Sequence, residues 1–102
     1  MPDRGVKEQE RTKTKERVLE PPMFRVILLN DHYTSMEFVV EVLVTIFHKG
    51  PEEALQVMMS VHKAGSGVAG AYTREIAETK VASVVHRARR NGFPLQCVLE
   101  PM

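Results

Sequence analysis

The sequence predicts a small α+β domain, a two-layer sandwich in which three helices pack against a three-stranded antiparallel sheet. The chain has 102 residues, of which 43% are hydrophobic and 26% charged, and this is enough for one core but not for two. Short apolar runs and segments of helical periodicity follow one another in the order βααβαβ. Proline, glycine and capping residues separate these segments, so each has a definable beginning and end.

Residues 1–22 are predicted to be a disordered extension. They carry six basic and five acidic side chains, and only three aliphatic side chains larger than alanine. Such a segment buries too little apolar surface to offset the entropy lost on ordering it. It is either a solvated leader or a tether for a partner. A pair of prolines marks its end, and the folded domain is predicted to span residues 23–102.

The first strand is predicted over residues 23–29, a short apolar run that begins after the proline pair. Three polar residues follow it directly, namely Asn30, Asp31 and His32. An amide, a carboxylate and an imidazole at the end of an apolar strand, just before a helix begins, indicate a binding site at that end of the sheet.

The first helix is predicted over residues 36–49. Thr34 and Glu37 have the spacing of a capping box, in which the threonine oxygen accepts from the Glu37 N–H and the glutamate reaches back. The β-branched residues of this segment favour a strand by propensity. The cap and the length of the segment outweigh that propensity, and the helix is expected to end at Gly50.

The second helix begins with Pro51 at its first position and acidic residues in its first turn, and it is expected to run to about Ala64. Its sequence places four side chains on one continuous stripe at positions i, i+3, i+4 and i+7. These are Leu55, Met58, Met59 and His62.

The rest of the domain is predicted to be strand, helix and strand. A strand of small residues over 68–72 leads to Thr73, which is expected to cap a third helix that ends before Gly92. The basic run "HRARR" in its last turns suits the negative end of the helix dipole. The last strand, residues 95–99, alternates apolar and outward-facing positions. The apolar positions of the third helix are Ile76, Ala77, Val81, Val84 and Ala88.

Composition and motifs exclude several classes of function. A net charge of +1 is too small to indicate nucleic acid or an anionic membrane as the main partner. The single cysteine, Cys97, forms no internal disulfide and suits a reducing compartment, so a cytoplasmic protein is expected. The sequence contains no familiar catalytic motif. A metal site formed by Asp31, His32 and His62 is conceivable, but their spacing matches no known signature.

Three segments together resemble one family. "LLNDHYTSMEFVV", "ALQVMMSVHKAGSGVAGAYTREIAETKVA" and "GFPLQCVLE" are similar to the ClpS family, the adaptors that bring N-end-rule substrates to the ATPase-protease ClpAP. The resemblance covers residues 23–100, and the three motifs agree in order and spacing. It implies a substrate adaptor that is not itself an enzyme and needs no cofactor.

The resemblance also implies a site for the free amino terminus of a substrate. Asn30, His32 and His62 are expected to hold the α-amine, because an ammonium offers three donors and requires three converging acceptors. A bulky hydrophobic first side chain (Leu, Phe, Tyr or Trp) is expected to enter an apolar pocket. The residues carried over to that pocket are Thr34, Met36, Val39, Met58, Val61 and Leu95.

The partners implied by the resemblance are the N-domain of a ClpA-type AAA+ ATPase and proteins or peptides that carry an N-degron. The docking surface for the ATPase maps to Glu75, Glu78 and Lys80 on the third helix. Neither nucleic acid nor a membrane is expected as a partner, and the protein is expected to be a monomer.

His32 departs from the family, which usually has aspartate at this position, and Ser35 replaces its usual proline. Loss of a carboxylate weakens the attraction for an amine, so two hypotheses follow. In the first, the chain delivers N-degron substrates to the ATPase. In the second, it binds only the ATPase and acts as an inhibitor or competitor. A third class, ribosomal interaction, rests only on an architecture related to the carboxy-terminal domains of the ribosomal stalk.

Overall fold

A computed structural model describes residues 20–102 of the chain. The predicted disordered extension, residues 1–22, lies outside the described residues except for its last three, so it stays a prediction, as does the domain boundary that follows it. The described part contains six elements in the predicted order. They are β1 (Met23–Leu29), α1 (Met36–Thr45), α2 (Pro51–Ala64), β2 (Ser66–Thr73), α3 (Arg74–Arg90) and β3 (Gln96–Pro101).

The sheet confirms the predicted α+β fold. Its strand order is β2-β1-β3, and β1 pairs with both neighbours in antiparallel register. Val26 and Leu28 of β1 are fully buried on the face that the helices cover. Ile27 lies on the other face, opposite Val68 on one side and Val98 on the other, and both valines are largely exposed. Alternation along β1 therefore gives the sheet one buried face and one open face.

The three helices cover the sheet in different ways. Helix α3 packs across all three strands, α2 packs against β2, and α1 packs against α2. On α3, Ala77, Val84 and Ala88 are buried as predicted, whereas Ile76 is half exposed. Thr73 takes the predicted N-cap position, although its hydroxyl makes no capping hydrogen bond, and Gly92 follows the helix with a φ of 75°.

The predicted capping box of α1 is wrong by one residue. The Phe38 N–H donates to the hydroxyl of Ser35 at 3.1 Å, so Ser35 is the N-cap. Thr34 instead donates its hydroxyl to the Asp31 carboxylate at 2.7 Å. Because Asp31 already engages Thr34, the capping role passes to the next hydroxyl residue. Glu37 contributes an acidic charge to the first turn.

The predicted end of α1 at Gly50 is also wrong. The helix ends at Thr45, and two hydrogen bonds of longer span close the chain after it. The Phe47 N–H donates to the Val42 carbonyl at 3.4 Å, and the Lys49 N–H donates to the Leu43 carbonyl at 3.0 Å. Between these two bonds, His48 takes a left-handed conformation with a φ of 56°. Histidine is among the non-glycine residues that are enriched in this conformation, so Gly50 is free to begin α2 as its N-cap residue.

Of the predicted stripe on α2, only Met58 packs into the core. Leu55 is 50% exposed and Met59 is 36% exposed, and His62 is exposed as well. The helix is rotated so that a neighbouring row at i, i+4 and i+7 faces the core. The buried members of that row are Ala54, Met58 and Val61.

A self-contained turn links β1 to α1. One carboxylate oxygen of Asp31 accepts from the N–H groups of Tyr33 at 2.8 Å and Thr34 at 2.6 Å, and the other accepts from the Thr34 hydroxyl. Partial burial raises the pKa of Asp31, but these hydrogen bonds and the nearby His32 outweigh burial. The pKa therefore lies below the ordinary value of 3.8.

We expect Gly67→Ala to destabilise the protein because α2 lies directly over this residue of β2. A Cβ atom there would lie 3.0 Å from the carbonyl oxygen of Val57 and 2.9 Å from a methyl group of Val61. Overpacking of this kind costs about 1 to 3 kcal/mol, and urea denaturation measures the loss. Gly50→Ala is the control for a Cβ without steric contact, because nothing lies within 4 Å of a Cβ at Gly50, and it loses only the N-cap preference for glycine over alanine. Equal stability of the two variants would contradict this close packing.

We expect the Asp31 turn to make stability depend on pH in the acid range. Because the folded-state pKa is lowered, the carboxylate stabilises the fold above the unfolded pKa of about 4. That contribution disappears as the pH falls through the folded-state pKa. Asp31→Asn keeps the acceptor oxygen but does not titrate, so its unfolding free energy should fall less between about pH 4.5 and 2.5. Parallel curves for wild type and variant would contradict this; Glu37→Gln is the control.

Candidate functional site

A cavity of ≈ 540 Å³ opens where β1 ends, beside the first turns of α1 and the last turns of α2. One side of it is the turn that contains Asp31. The other side is formed by Met58, Val61 and His62 in the last turns of α2. Its position at the end of the central strand is where the sequence predicts a binding site.

A backbone hydrogen bond brings the two sides of the cavity together. The Asn30 N–H, just after β1, donates to the carbonyl of Gly65, just after α2, at 3.0 Å. Gly65 takes a left-handed conformation with a φ of 90°, and its own N–H donates to the Val61 carbonyl. This left-handed glycine ends α2 and turns the chain into β2. His62 lies one turn earlier on the helix, so the bond holds it on the same side of the fold as Asn30.

The cavity is lined by most of the residues that the sequence analysis assigns to substrate binding. All three residues assigned to the α-amine line it, and so do five of the six assigned to the first side chain. Leu95 is the exception, because it is 3% exposed and belongs to the hydrophobic core. The residues that line the cavity are Asn30, His32 and His62 for the amine, and Thr34, Met36, Val39, Met58 and Val61 for the side chain.

Four residues line the cavity without having been predicted there. They lie in the same turn as the predicted ones, and this continuity is the sequence signal that could have found them. Two of them, Asp31 and Glu37, are acidic, and no lysine or arginine is among the described lining residues. The cavity therefore favours a cation. The four residues are Asp31, Tyr33, Ser35 and Glu37.

The cavity has a polar end and an apolar floor. Val39, Met58 and Val61 are buried and form the floor, whereas Met36 is 47% exposed at the mouth. Carbonyl, carboxylate and imidazole acceptors lie at the polar end. A ligand that matches both parts carries a cationic donor group next to a bulky apolar group.

The three residues assigned to ATPase docking are divided between two environments. Glu75 and Lys80 line a separate cavity of ≈ 560 Å³ between the end of α1 and α3. The Lys80 ammonium donates to the Ile46 carbonyl at 2.6 Å and so ties α3 to the end of α1. Glu78 lies outside this cavity and pairs with Arg74 at 3.2 Å.

The described part of the chain gives little support for a metal site, a nucleophilic cysteine or a membrane-spanning helix. Between residues 20 and 102, no three histidine, cysteine or acidic side chains are grouped as metal ligands. Burial raises the pKa of the half-buried Cys97 thiol to about 11, which disfavours the thiolate that a nucleophile requires. None of the helices described here has the length and apolar character to cross a membrane.

Comparison with known proteins identifies relatives over almost the whole chain. Residues 19–98 match the family described as ATP-dependent Clp protease adaptor protein ClpS. A ClpS adapter from Desulforapulum autotrophicum is 50% identical over 96 residues, which are 94% of this chain and 92% of the relative. Another, from Oleidesulfovibrio alaskensis, is 59% identical over 85 residues, 83% of this chain and 82% of the relative.

A solved structure shares the fold. Agrobacterium tumefaciens ClpS2 bound to L-phenylalaninamide aligns with a TM-score of 0.77 and 40% sequence identity. The alignment covers 81% of this chain and all of that one. With a family match over most of the chain and a common fold, the resemblance seen in three motifs is confirmed. The chain belongs to the ClpS family of Clp protease adaptors.

Proposed function

We propose that this chain binds proteins that begin with a bulky hydrophobic residue (Leu, Phe, Tyr or Trp) and delivers them to a ClpA-type AAA+ ATPase of the Clp protease. The observation that carries the proposal is the cavity at the end of β1, which has acceptors at one end and an apolar floor. A free amino terminus followed by a hydrophobic side chain has the same two parts. The proposed adaptor acts as a monomer in the cytoplasm.

The α-ammonium requires three acceptors at hydrogen-bond distance. The Asn30 side-chain oxygen and an imidazole nitrogen of His62 supply two of them in the proposed complex. The third is His32, which is exposed and lines the same cavity. The Asp31 carboxylate is less suited to direct contact, since both its oxygens already accept hydrogen bonds within the turn. Its charge still acts on the amine at longer range.

The first side chain of the substrate is proposed to rest on the apolar floor formed by Val39, Met58 and Val61. Met36 at the mouth and Met58 below it are unbranched and flexible, which suits a pocket for aliphatic and aromatic side chains of different shape. The ClpS relative from Agrobacterium tumefaciens binds L-phenylalaninamide, a small molecule with a free α-amine and a benzyl side chain. By analogy, the same parts of a substrate are proposed to occupy this cavity.

The charge of the cavity favours the adaptor over the second hypothesis, a domain that binds only the ATPase. That hypothesis follows from the replacement of the usual aspartate by His32. Asp31 and Glu37 nevertheless place two carboxylates at the cavity, and no lysine or arginine is among its described lining residues. These two carboxylates attract an ammonium even though the aspartate usual at position 32 is absent.

The proposal is tested by calorimetric titration with two peptides that begin with Phe and differ only in acetylation of the α-amine. Acetylation removes the charge and two of the three donors. Each charge-assisted hydrogen bond is worth roughly 1.5 to 3 kcal/mol, so we expect the acetylated peptide to bind at least about tenfold more weakly. His62→Ala should weaken binding of the free peptide as well. Equal affinity for the two peptides would overturn the proposed recognition.

Two controls complete that experiment. His86→Ala removes an exposed histidine of α3 that does not line the cavity, and it should bind the free peptide as wild type does. Delivery is measured separately, as degradation of a Phe-initiated reporter protein by a ClpAP protease with and without the adaptor. Binding without enhanced degradation would support recognition but contradict delivery.

We expect His32→Asp to tighten binding of the Phe-initiated peptide, because a carboxylate adds charge to the attraction for the ammonium. The side chain at this position is exposed, so the gain is limited by solvent to about three- to tenfold. Titration of wild type and variant with the same peptide measures it, and His86→Asp controls for the change in overall charge. Unchanged affinity would mean that residue 32 does not face the amine and that a water supplies the third acceptor.

A further inference from the structure

A second cleft, of ≈ 520 Å³, lies between the end of α1 and the C-terminal half of α3. It shares no lining residue with the cavity at the end of β1. It does share Ile46 and Ser83 with the cavity that contains Glu75 and Lys80. The two form one continuous groove along α3. From Glu75 to Arg90 this groove is about 22 Å long at 1.5 Å per helical residue, long enough for a peptide segment.

Arg87 is held in a fixed position within this cleft. One of its terminal nitrogens, Nη1, donates to the Thr45 hydroxyl at 2.6 Å and approaches a Glu41 carboxylate oxygen at 3.5 Å. Thr45 is itself fixed, because its hydroxyl donates to the Glu41 carbonyl. The other edge of the guanidinium, Nε and Nη2, has no partner among residues 20–102. Two parallel N–H groups on one edge are the geometry that binds a carboxylate in bidentate fashion.

Arg90 lies on the same face of α3, three residues beyond Arg87, and is exposed. It forms no ion pair with any residue that the structure describes. Glu41 is the single carboxylate among the described residues of the cleft, and it faces Arg87. The cleft therefore has a surplus of positive charge, and the Nε and Nη2 donors of Arg87 have no acceptor among the described residues.

The geometry points to a docking site for an acidic segment of the Clp ATPase, in which an Asp or Glu carboxylate binds between Arg87 and Arg90. The surface around Glu75 and Lys80 then extends along the whole of α3. This inference rests on the ATPase half of the proposed function and is independent of substrate recognition. The surplus of positive charge in the cleft and its continuity with the neighbouring cavity support it.

The test compares Arg90→Glu with Arg89→Glu in binding to the isolated N-domain of a ClpA-type ATPase. Both arginines are exposed in the last turn of α3, but Arg89 does not line the cleft. The two reversals change net charge equally and lose the same interaction with the helix dipole. We expect Arg90→Glu to weaken binding about fivefold and Arg89→Glu to change it less than twofold, with the difference shrinking at high salt.

A third variant, Arg87→Lys, keeps the charge but removes the forked edge, and it should also weaken ATPase binding. All three variants should bind the Phe-initiated peptide as wild type does. Equal ATPase affinity of Arg90→Glu and Arg89→Glu would overturn the inference and leave the proposed docking at Glu75 and Lys80 intact. Failure of the wild-type protein to bind the N-domain would overturn both, while the peptide titration would still decide substrate recognition.

Nucleic acid is the other class of partner that a basic cleft could bind. A labelled duplex oligonucleotide is therefore titrated with wild type and Arg90→Glu. We expect no binding by either protein, in keeping with a net charge of only +1. Oligonucleotide binding that Arg90→Glu abolishes, together with unchanged ATPase affinity, would reassign the cleft and overturn the inference.

Discussion

The hydrogen bond from the Asn30 N–H to the Gly65 carbonyl is the constraint on which the cavity depends. Residues 30 and 65 are far apart in sequence, yet each lies immediately after a regular element. Joining them places the side chains that follow β1 beside those that end α2. The left-handed conformation of Gly65 makes the carbonyl available, because it turns the chain out of the helix at that point. The cavity therefore forms where the end of β1 meets the end of α2, and no single sequence motif contains both sides of it.

Much of the fold could be predicted because caps, breakers and alternation act locally. Signals such as Pro51, Gly92 and the alternation of β3 predicted the element order and an antiparallel sheet correctly, whereas the strand order β2-β1-β3 was not predicted. The predictions for both ends of α1 were wrong, because the interactions that decide those ends do not show in the local sequence pattern. Asp31 competes for the hydroxyl of Thr34, and His48 supplies a left-handed residue where glycine is the usual choice. Sequence spacing does not show which of two adjacent hydroxyls is free, or which non-glycine residue takes a positive φ.

Some residues of the candidate site could be predicted from the sequence, and others could be identified only from the structure. Residues of the polar turn and of α2 could be proposed because three motifs resemble one family. Leu95 shows the limit of that transfer, since in this chain it packs into the core and not along the cavity. Asp31 and Glu37 show the opposite failure. The sequence explains Glu37 as part of a helix cap, and only the three-dimensional turn shows that its charge also faces the cavity.

Helix α1 connects the two surfaces on which the proposals rest. Ser35 and Met36, at its beginning, line the cavity for the substrate, whereas Thr45 and Ile46, at its end, line the groove proposed for the ATPase. A helix of 10 residues is about 15 Å long, so the two proposed sites lie at opposite ends of α1, about that distance apart. The packing of α1 against α2 and the tie from Lys80 to Ile46 hold this helix in place, so the fold itself sets the distance between the two proposed sites.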